Sequence, residues 1–167
     1  LQKIGKVRAA CAAILTANTT SLPAFKDLLE SFPREVCAVT AQEIKVRPDQ
    51  VQALREWLGK RGWHGLISPA VIADANGLSA GVAVVASTDV PLMRPTAEEF
   101  DLVSGRLVAA ALRLPLLGEI IAVSTYWHVG IGFSGPNIFI VDQLQHFARA
   151  FKLPMIVGGD FNFTVQE

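Results

Sequence analysis

The stretch MIVGGDFN, Met155 to Asn162, passes from three apolar residues through two glycines to a carboxylate and a carboxamide two positions apart. Met155, Ile156 and Val157 have the length and composition of the end of a buried strand. Gly158 and Gly159 let the backbone bend sharply or lie close against a ligand, which puts Asp160 and Asn162 on a constrained, outward-facing turn. An Asp offers hard oxygen ligands to Mg²⁺ or Mn²⁺, and an Asn offers a neutral donor and acceptor to a phosphate oxygen or a water. The same residues are also ordinary turn formers, so their meaning depends on what else reaches this edge.

Upstream, other apolar runs end in polar side chains. Val7 to Ala17 stops at Asn18, Thr19, Thr20 and Ser21. Ser21 and Pro23 open a helix carrying Leu22, Phe25, Leu28, Leu29 and Phe32 at helical spacing until Pro33. Val36 to Ala41 is the next strand and ends at Gln42 and Glu43. Strand, helix and strand within about 35 residues make a βαβ unit with parallel strands and a right-handed crossover, so Asn18 and Glu43 face one region.

Pro48 to Lys60 reads as a helix with Val51, Leu54, Trp57 and Leu58 inward, closed by Gly59 and Gly62. Trp63 to Ser68 is a strand, Asp74 to Ser79 a loop, and Leu78 to Ser87 a strand with Gly81 inside it. An acidic, proline-containing excursion follows through Pro91, Pro95, Glu98, Glu99 and Asp101, loosely ordered from Met93 to Asp101. Arg106 to Leu114 and Glu119 to Tyr126 form an antiparallel pair across Pro115 to Gly118. After a loop from Trp127 to Gly135, Ser134 and Pro136 open a helix through Phe151, with Ile138, Val141, Leu144, Phe147, Ala148 and Phe151 as its buried stripe.

The chain has 167 residues, 51% hydrophobic and 18% charged, which suits one globular domain. Fifteen basic and 15 acidic residues leave no basic field to advertise a tight nucleic-acid binder. No apolar run approaches the ~18 to 20 residues of a membrane span, and the N-terminus reads as a strand rather than a secretory signal. Leu1 in place of Met, and an end at Glu167 just past the most informative motif, suggest a segment of a longer polypeptide. Cys11 and Cys37 are expected as buried thiols, with a disulfide left open if their strands are neighbours.

Asn18, Glu43, Tyr126 with His128, and Asp160 with Asn162 therefore gather at strand ends, where α/β proteins place ligand sites. Glu43 and Asp160 form a carboxylate pair suited to a hard divalent cation, and Lys45 and Arg47 stand ready to hold a phosphodiester. Plainer readings coexist with these. Glu43 and Lys45 fit a solvated loop, and His128 is better read as a packed loop histidine than as a catalyst. His64 and His146 suit the surface or the core edge, and Lys60 and Arg61 follow from the helix dipole.

The series TANTTSL (Thr16 to Leu22), AQEIK (Ala41 to Lys45), GVAVV (Gly81 to Val85), SGRLV (Ser104 to Val108), Tyr126 and IVGGDFN (Ile156 to Asn162) resembles the endonuclease/exonuclease/phosphatase superfamily. That superfamily includes abasic-site endonucleases, deoxyribonuclease I, inositol-polyphosphate phosphatases, sphingomyelinases and the endonuclease domains of LINE-type retrotransposons. The resemblance implies an α/β (α+β) fold, an incomplete four-layer α/β/β/α sandwich, with residues 1–167 as a single, C-terminally truncated domain. It makes Glu43 the principal ligand of Mg²⁺ (or Mn²⁺) with Asn18 in support, and Tyr126 a contact to the scissile phosphate. Asp160 would orient the attacking water, Asn162 would stabilise the charged phosphorane, and Arg106 would lie near the substrate groove.

Thr20 stands where many members have Asp, and Val129 where abasic-site endonucleases have Asn. These departures favour a retroelement-type DNA endonuclease, or another divergent member, over a specialised abasic-site enzyme. A nuclear location follows only from that analogy. A phosphatase or phospholipase of the same superfamily, and a degenerate non-catalytic binding domain, are the alternatives. The family's last strands, with a catalytic Asp-His pair, would lie beyond Glu167, so the fragment alone is expected to be inactive and to expose apolar surface.

Overall fold

Strands that are apolar on both faces need a partner layer on each side, and alternation along them assigns every residue to one layer or the other. The computed structural model describes residues 13–33, 35–72, 77–93, 101–114 and 117–162. Cys11, the start of the first strand from Val7, Pro95, Glu98, Glu99 and the turn at Pro115 lie outside the described residues, and with Cys11 so does any bridge to Cys37.

Strand β1 (Ala13–Asn18), helix α1 (Leu22–Ser31) and strand β2 (Val36–Gln42) form the expected parallel βαβ unit, with Asn18 paired to Gln42 at its C-terminal end. Ser21 caps α1 by accepting from the Ala24 amide at 3.3 Å. A 3₁₀ turn (Pro48–Gln50) leads into α2 (Val51–Lys60) and then β3 (Trp63–Ser68). The short strands β4 (Val71–Ile72) and β5 (Leu78–Ser79) pair with each other. Next come β6 (Val82–Ser87), β7 (Leu92–Met93), β8 (Asp101–Val103), β9 (Leu107–Leu114), β10 (Gly118–Tyr126), α3 (Gly135–Phe151) and β11 (Met155–Asp160). One sheet runs β1-β2-β6-β3 and the other β11-β10-β9-β7, with β8 also on β9. β7 and β8 show that the two ends of the acidic excursion, at Met93 and Asp101, belong to a sheet.

Three apolar clusters fill the three gaps of a four-layer α/β/β/α sandwich. Phe25 and Leu29 of α1 and Leu54 and Leu58 of α2 pack on Val39, Ala41, Ala83 and Val85. Val82, Val84 and Ala86 meet Val108, Ala110, Leu112, Ile120 and Ala122 between the sheets. Leu107, Ala109, Ile121 and Val123 face Ile140 and Phe147 of α3. On α1 and α2, Arg61 lies 4.2 Å over the Trp57 ring and reaches Glu30 at 2.5 Å, a more specific role than balancing a helix dipole. Among the described residues, no helix is long and apolar enough to cross a membrane.

Four expectations need correction. Leu78 to Ser87 is not one strand: Ala80 and Gly81 adopt φ of 65° and 87° and divide it into β5 and β6. A side chain at Gly81 would stand 3.2 Å from the backbone nitrogens of Lys45 and Ala70, so glycine is required there. Gly158 and Gly159 form no turn; they continue β11 in register with Ser124 and Thr125 of β10. Ile156 and Val157 are exposed, because β11 is the edge strand of its sheet among the described residues. On α3 the stripe is rotated, with Asn137, Ile140 and Phe147 buried while Ile138 and Ala148 face solvent.

Gly158 lies where β11 comes up against Thr16 and Thr40 of the other sheet. A Cβ there would collide with Thr40 Oγ1 and fall 2.6 Å from Thr16 Oγ1. Gly158→Ala should therefore force the sheets apart and destabilise the chain by about 1–3 kcal/mol. Gly59 lies inside α2 with nothing within 4 Å of the place a methyl group would occupy, and it should gain about 0.5–1 kcal/mol as Ala. Urea unfolding midpoints of the two variants should move in opposite directions.

Candidate active site

The two sheets each deliver strand ends to one edge. Asn18 and Gln42 are paired at the end of β1 and β2, and Tyr126 and Asp160 at the end of β10 and β11. Two hydrogen bonds then cross between the sheets. Asn18 Nδ2 donates to Asp160 Oδ2 at 2.6 Å, and the Tyr126 hydroxyl donates to Glu43 Oε1 at 2.5 Å. A cleft of about 360 Å³ opens at this edge, lined by Thr16, Asn18, Gln42, Asp160, Phe161 and Asn162.

The backbone around these groups is unusual in a consistent way. Thr20, Glu43, Lys45 and Asn162 have φ of 57°, 52°, 47° and 49°, a conformation that costs a non-glycine residue about 1–3 kcal/mol unless its surroundings hold it. Side chains and backbone do so here. Asn18 Oδ1 accepts from the Thr20 amide at 3.2 Å, and Asp160 Oδ1 accepts from the Asn162 amide at 3.1 Å, the Asx pattern that suits Asn and Asp at turns. The amides of Ile44 and Lys45 donate to the carbonyls of Gly81 and Ala80 at 3.1 and 3.3 Å, fixing Glu43 from its far side.

Tyr126 is buried, and burial together with the bond to Glu43 pushes its hydroxyl pKa up to about 12, against smaller opposing influences from Asn162 and Arg106. The hydroxyl therefore keeps its proton and acts as a donor. Arg106 lies behind it, its guanidinium 5.0 Å from the Tyr126 ring centre. Its nitrogens donate to Ser79 Oγ at 3.2 Å and to the Trp127 carbonyl at 3.4 Å. Burial lowers the Arg106 pKa, offset in part by Tyr126 and Glu43. His128 is held below the usual histidine range by burial and by the Arg106 charge.

The structure brings together Asn18, Glu43, Tyr126, Asp160 and Asn162, with Arg106 buried beneath them. Asn162 Nδ2 donates to the Trp127 carbonyl at 2.9 Å. Arg47 is exposed and engages Asp49 at 3.0 Å, and Lys45 makes no side-chain hydrogen bond among the described residues. His64 Nε2 contacts the Val90 carbonyl at 2.9 Å, and His146 is exposed on α3. The sequence reading missed Gln42, whose Nε2 donates to Ser124 Oγ at 3.0 Å and to the Gly158 carbonyl at 3.3 Å. A carboxamide closing an otherwise apolar strand was the available signal, together with Ser124 in the apolar run of β10.

Among the described residues, no three His, Cys, Asp or Glu side chains gather into a metal cage. The donors at this edge are instead two carboxylates and two carboxamides. That set fits Mg²⁺, which takes one or two carboxylates and fills its remaining positions with water and substrate oxygens.

No protein-family model and no curated protein matches the chain. Solved structures do. The human Nocturnin catalytic domain with bound sulfate is similar at 19% identity and a TM-score of 0.59, over 87% of this chain and 57% of that one. The 3′ phosphatase NExo from Neisseria, bound to a product DNA hairpin, is similar at 21% identity and 0.54, over 92% and 59%. An endonuclease/exonuclease/phosphatase from Beutenbergia cavernae is similar at 16% identity and 0.52, over 92% and 47%. The fold is that of the endonuclease/exonuclease/phosphatase superfamily, and the chain spans 57% and 59% of the first two structures.

Tyr126 is the chain's sole tyrosine, so phenolate absorbance reports it alone. Its titration midpoint should be about 12 in the native chain and about 10 in urea. Because the unfolded chain releases this proton first, the contribution is intact below about pH 10 and is lost as pH rises through about 12. Glu43→Gln should lower the native midpoint while leaving it above about 10, since burial is the larger cause. An unchanged midpoint would disprove the Tyr126–Glu43 bond.

Proposed function

We propose that these residues form the catalytic face of a divalent-metal-dependent phosphodiesterase, most specifically the DNA endonuclease of a retroelement-like polyprotein. The supporting observation is the meeting of Asn18 with Asp160 and of Glu43 with Tyr126, one partner from each sheet, at one edge of the sandwich where Asn18 and Asp160 line a cleft. Two sheets whose only shared task was burial would have no reason to bring four polar side chains and strained backbone to a single edge.

On this reading Glu43, with Asn18 from the same sheet, would hold Mg²⁺ or Mn²⁺. When bound, the ion supplies charge stabilisation to the phosphate oxygens as the bond to the leaving group breaks. Asp160, fixed through both carboxylate oxygens, orients the attacking water. Asn162 donates a hydrogen bond to the phosphorane oxygen, and the protonated Tyr126 hydroxyl donates to a second. Arg106 acts from behind the Tyr126 ring, and Lys45 and Arg47 bind flanking phosphates. A DNA substrate accords with the hairpin bound to NExo.

One observation favours a second reading. No Lys or Arg occurs between Arg113 and Arg149, so the loop after Tyr126 brings no cation to a long polyanion. A smaller phosphoester, handled by a phosphatase or phospholipase, suits that loop better.

The test uses the full natural polypeptide with Mg²⁺, supercoiled plasmid, a 3′-phosphorylated oligonucleotide and soluble inositol phosphates. Plasmid nicking abolished by chelation is the expected result. Asp160→Asn and Asn162→Ala should each slow it by about 10²-fold or more, and Glu43→Ala should abolish rescue by added Mg²⁺. Activity confined to inositol phosphates would replace the nuclease reading, and undiminished cleavage by Glu43→Ala would overturn the metal assignment.

A further inference from the structure

Asn137 is the third residue of α3 and is wholly buried on a helix whose other inward residues are apolar. A buried carboxamide is costly unless its polar atoms are satisfied, and here both of its N–H groups and its oxygen are used. Asn137 Oδ1 accepts from the His128 amide at 2.7 Å, and Nδ2 donates to the carbonyls of His128 and Gly132 at 3.1 and 2.8 Å. All three bonds hold the backbone of the loop that follows Tyr126. The Trp127 amide reaches the Asp160 carbonyl of β11 at 2.9 Å, but beyond it the loop turns through Gly130 and Gly132, at φ of 77° and 57°, and the Asn137 carboxamide ties that part of its backbone down.

The His128 amide and the Trp127 carbonyl belong to one peptide group, which is planar and rigid. On the carbonyl side of that plane, Trp127 accepts from Asn162 Nδ2 at 2.9 Å and from Arg106 Nη1 at 3.4 Å. On the amide side it is held by Asn137. We propose that Asn137 is a positioning residue that sets the carboxamide of Asn162, and secondarily the Arg106 guanidinium, through the Trp127–His128 peptide. Moving the plane displaces the acceptor that orients Asn162. Hydrogen bonding at the amide also polarises the carbonyl and strengthens its hold on both donors. The role of Asn162 in hydrolysis rests on the function proposed above; its placement by Asn137 does not.

The test compares Asn137→Ala, Asn137→Ser and Phe147→Leu, the last removing buried apolar volume from the same helix without touching the loop. Side-chain amide resonances of Asn162 are assigned by their loss in Asn162→Ala. Asn137→Ala should shift these resonances and speed their hydrogen exchange, Asn137→Ser should do so less, and Phe147→Leu should leave them in place at equal or greater loss of stability. In the full natural polypeptide, kcat and kcat/KM should fall together by about 10- to 100-fold in Asn137→Ala, and remain unchanged in Phe147→Leu. Unmoved Asn162 resonances in a folded Asn137 variant would overturn the proposal, as would an equal loss in Phe147→Leu. If the wild-type polypeptide hydrolyses no phosphoester, the proposed function fails and the resonance arm alone decides the positioning role.

Discussion

Gln42 lies between the two sheets with its carboxamide closed off from solvent, and the placement of every group at the cleft depends on it. Its Nε2 joins Ser124 of β10 and the backbone of Gly158 in β11, while its oxygen receives Thr16 of β1 at 3.4 Å. Ser124 in turn donates to the Ala41 carbonyl at 2.8 Å. Most of the inter-sheet layer is Val, Ala, Leu and Ile, which attract one another without specifying how far one sheet slides along the other. Directional bonds at the cleft end set that register. Losing one partner would strand a buried polar atom at a cost of about 1–3 kcal/mol, so the apolar layer supplies cohesion and the polar cluster supplies alignment.

Alignment matters because neither inter-sheet contact at the cleft could survive a slip. Asn18 and Glu43 come from one sheet, Asp160 and Tyr126 from the other, and sliding one sheet by a single residue would carry the partners about 3.3 Å out of register, beyond hydrogen-bond reach. Gly158 permits the approach: Thr16 and Thr40 occupy the space a side chain there would take. The close crossing at Gly158, the Gln42 cluster and the Asx turns at Asn18 and Asp160 thus succeed one another along the same edge, each limiting the freedom of the next.

The parts legible in the sequence were those written in local pattern. The βαβ unit, the antiparallel β9–β10 pair, the three helices and the convergence of Asn18, Glu43, Tyr126 and Asp160 follow from periodicity and from where apolar runs stop. What escaped was set by contacts between layers. A pair of glycines signals freedom of the backbone without saying whether it serves a turn or a close crossing, and at Gly158 and Gly159 it serves the crossing. The buried stripe of α3 is out of phase with the apolar pattern because Asn137, polar by type, is buried by its bonds to the loop. Ile156 and Val157 look buried in the sequence because an apolar run does not announce that it lies on a sheet edge.

The proton on Tyr126 determines what this edge can do. A hydroxyl held near pKa 12 keeps its proton at neutral pH, so it is no base or nucleophile there and offers that proton as a donor. Its present acceptor is Glu43, and its neighbour Asn162 is a donor in the same region, oriented by the Trp127 carbonyl. Asp160 meanwhile accepts at both oxygens. The edge therefore divides into hydrogen-bond donors at Tyr126 and Asn162, and anionic acceptors at Glu43 and Asp160. A tetrahedral anion attacked by water needs both, donors for its oxygens and acceptors for the water's protons and for a counter-cation. A neutral ligand would leave the carboxylates unmatched, and a bare cation would leave the donors idle. A phosphoester, the substrate class proposed above, would engage the whole set.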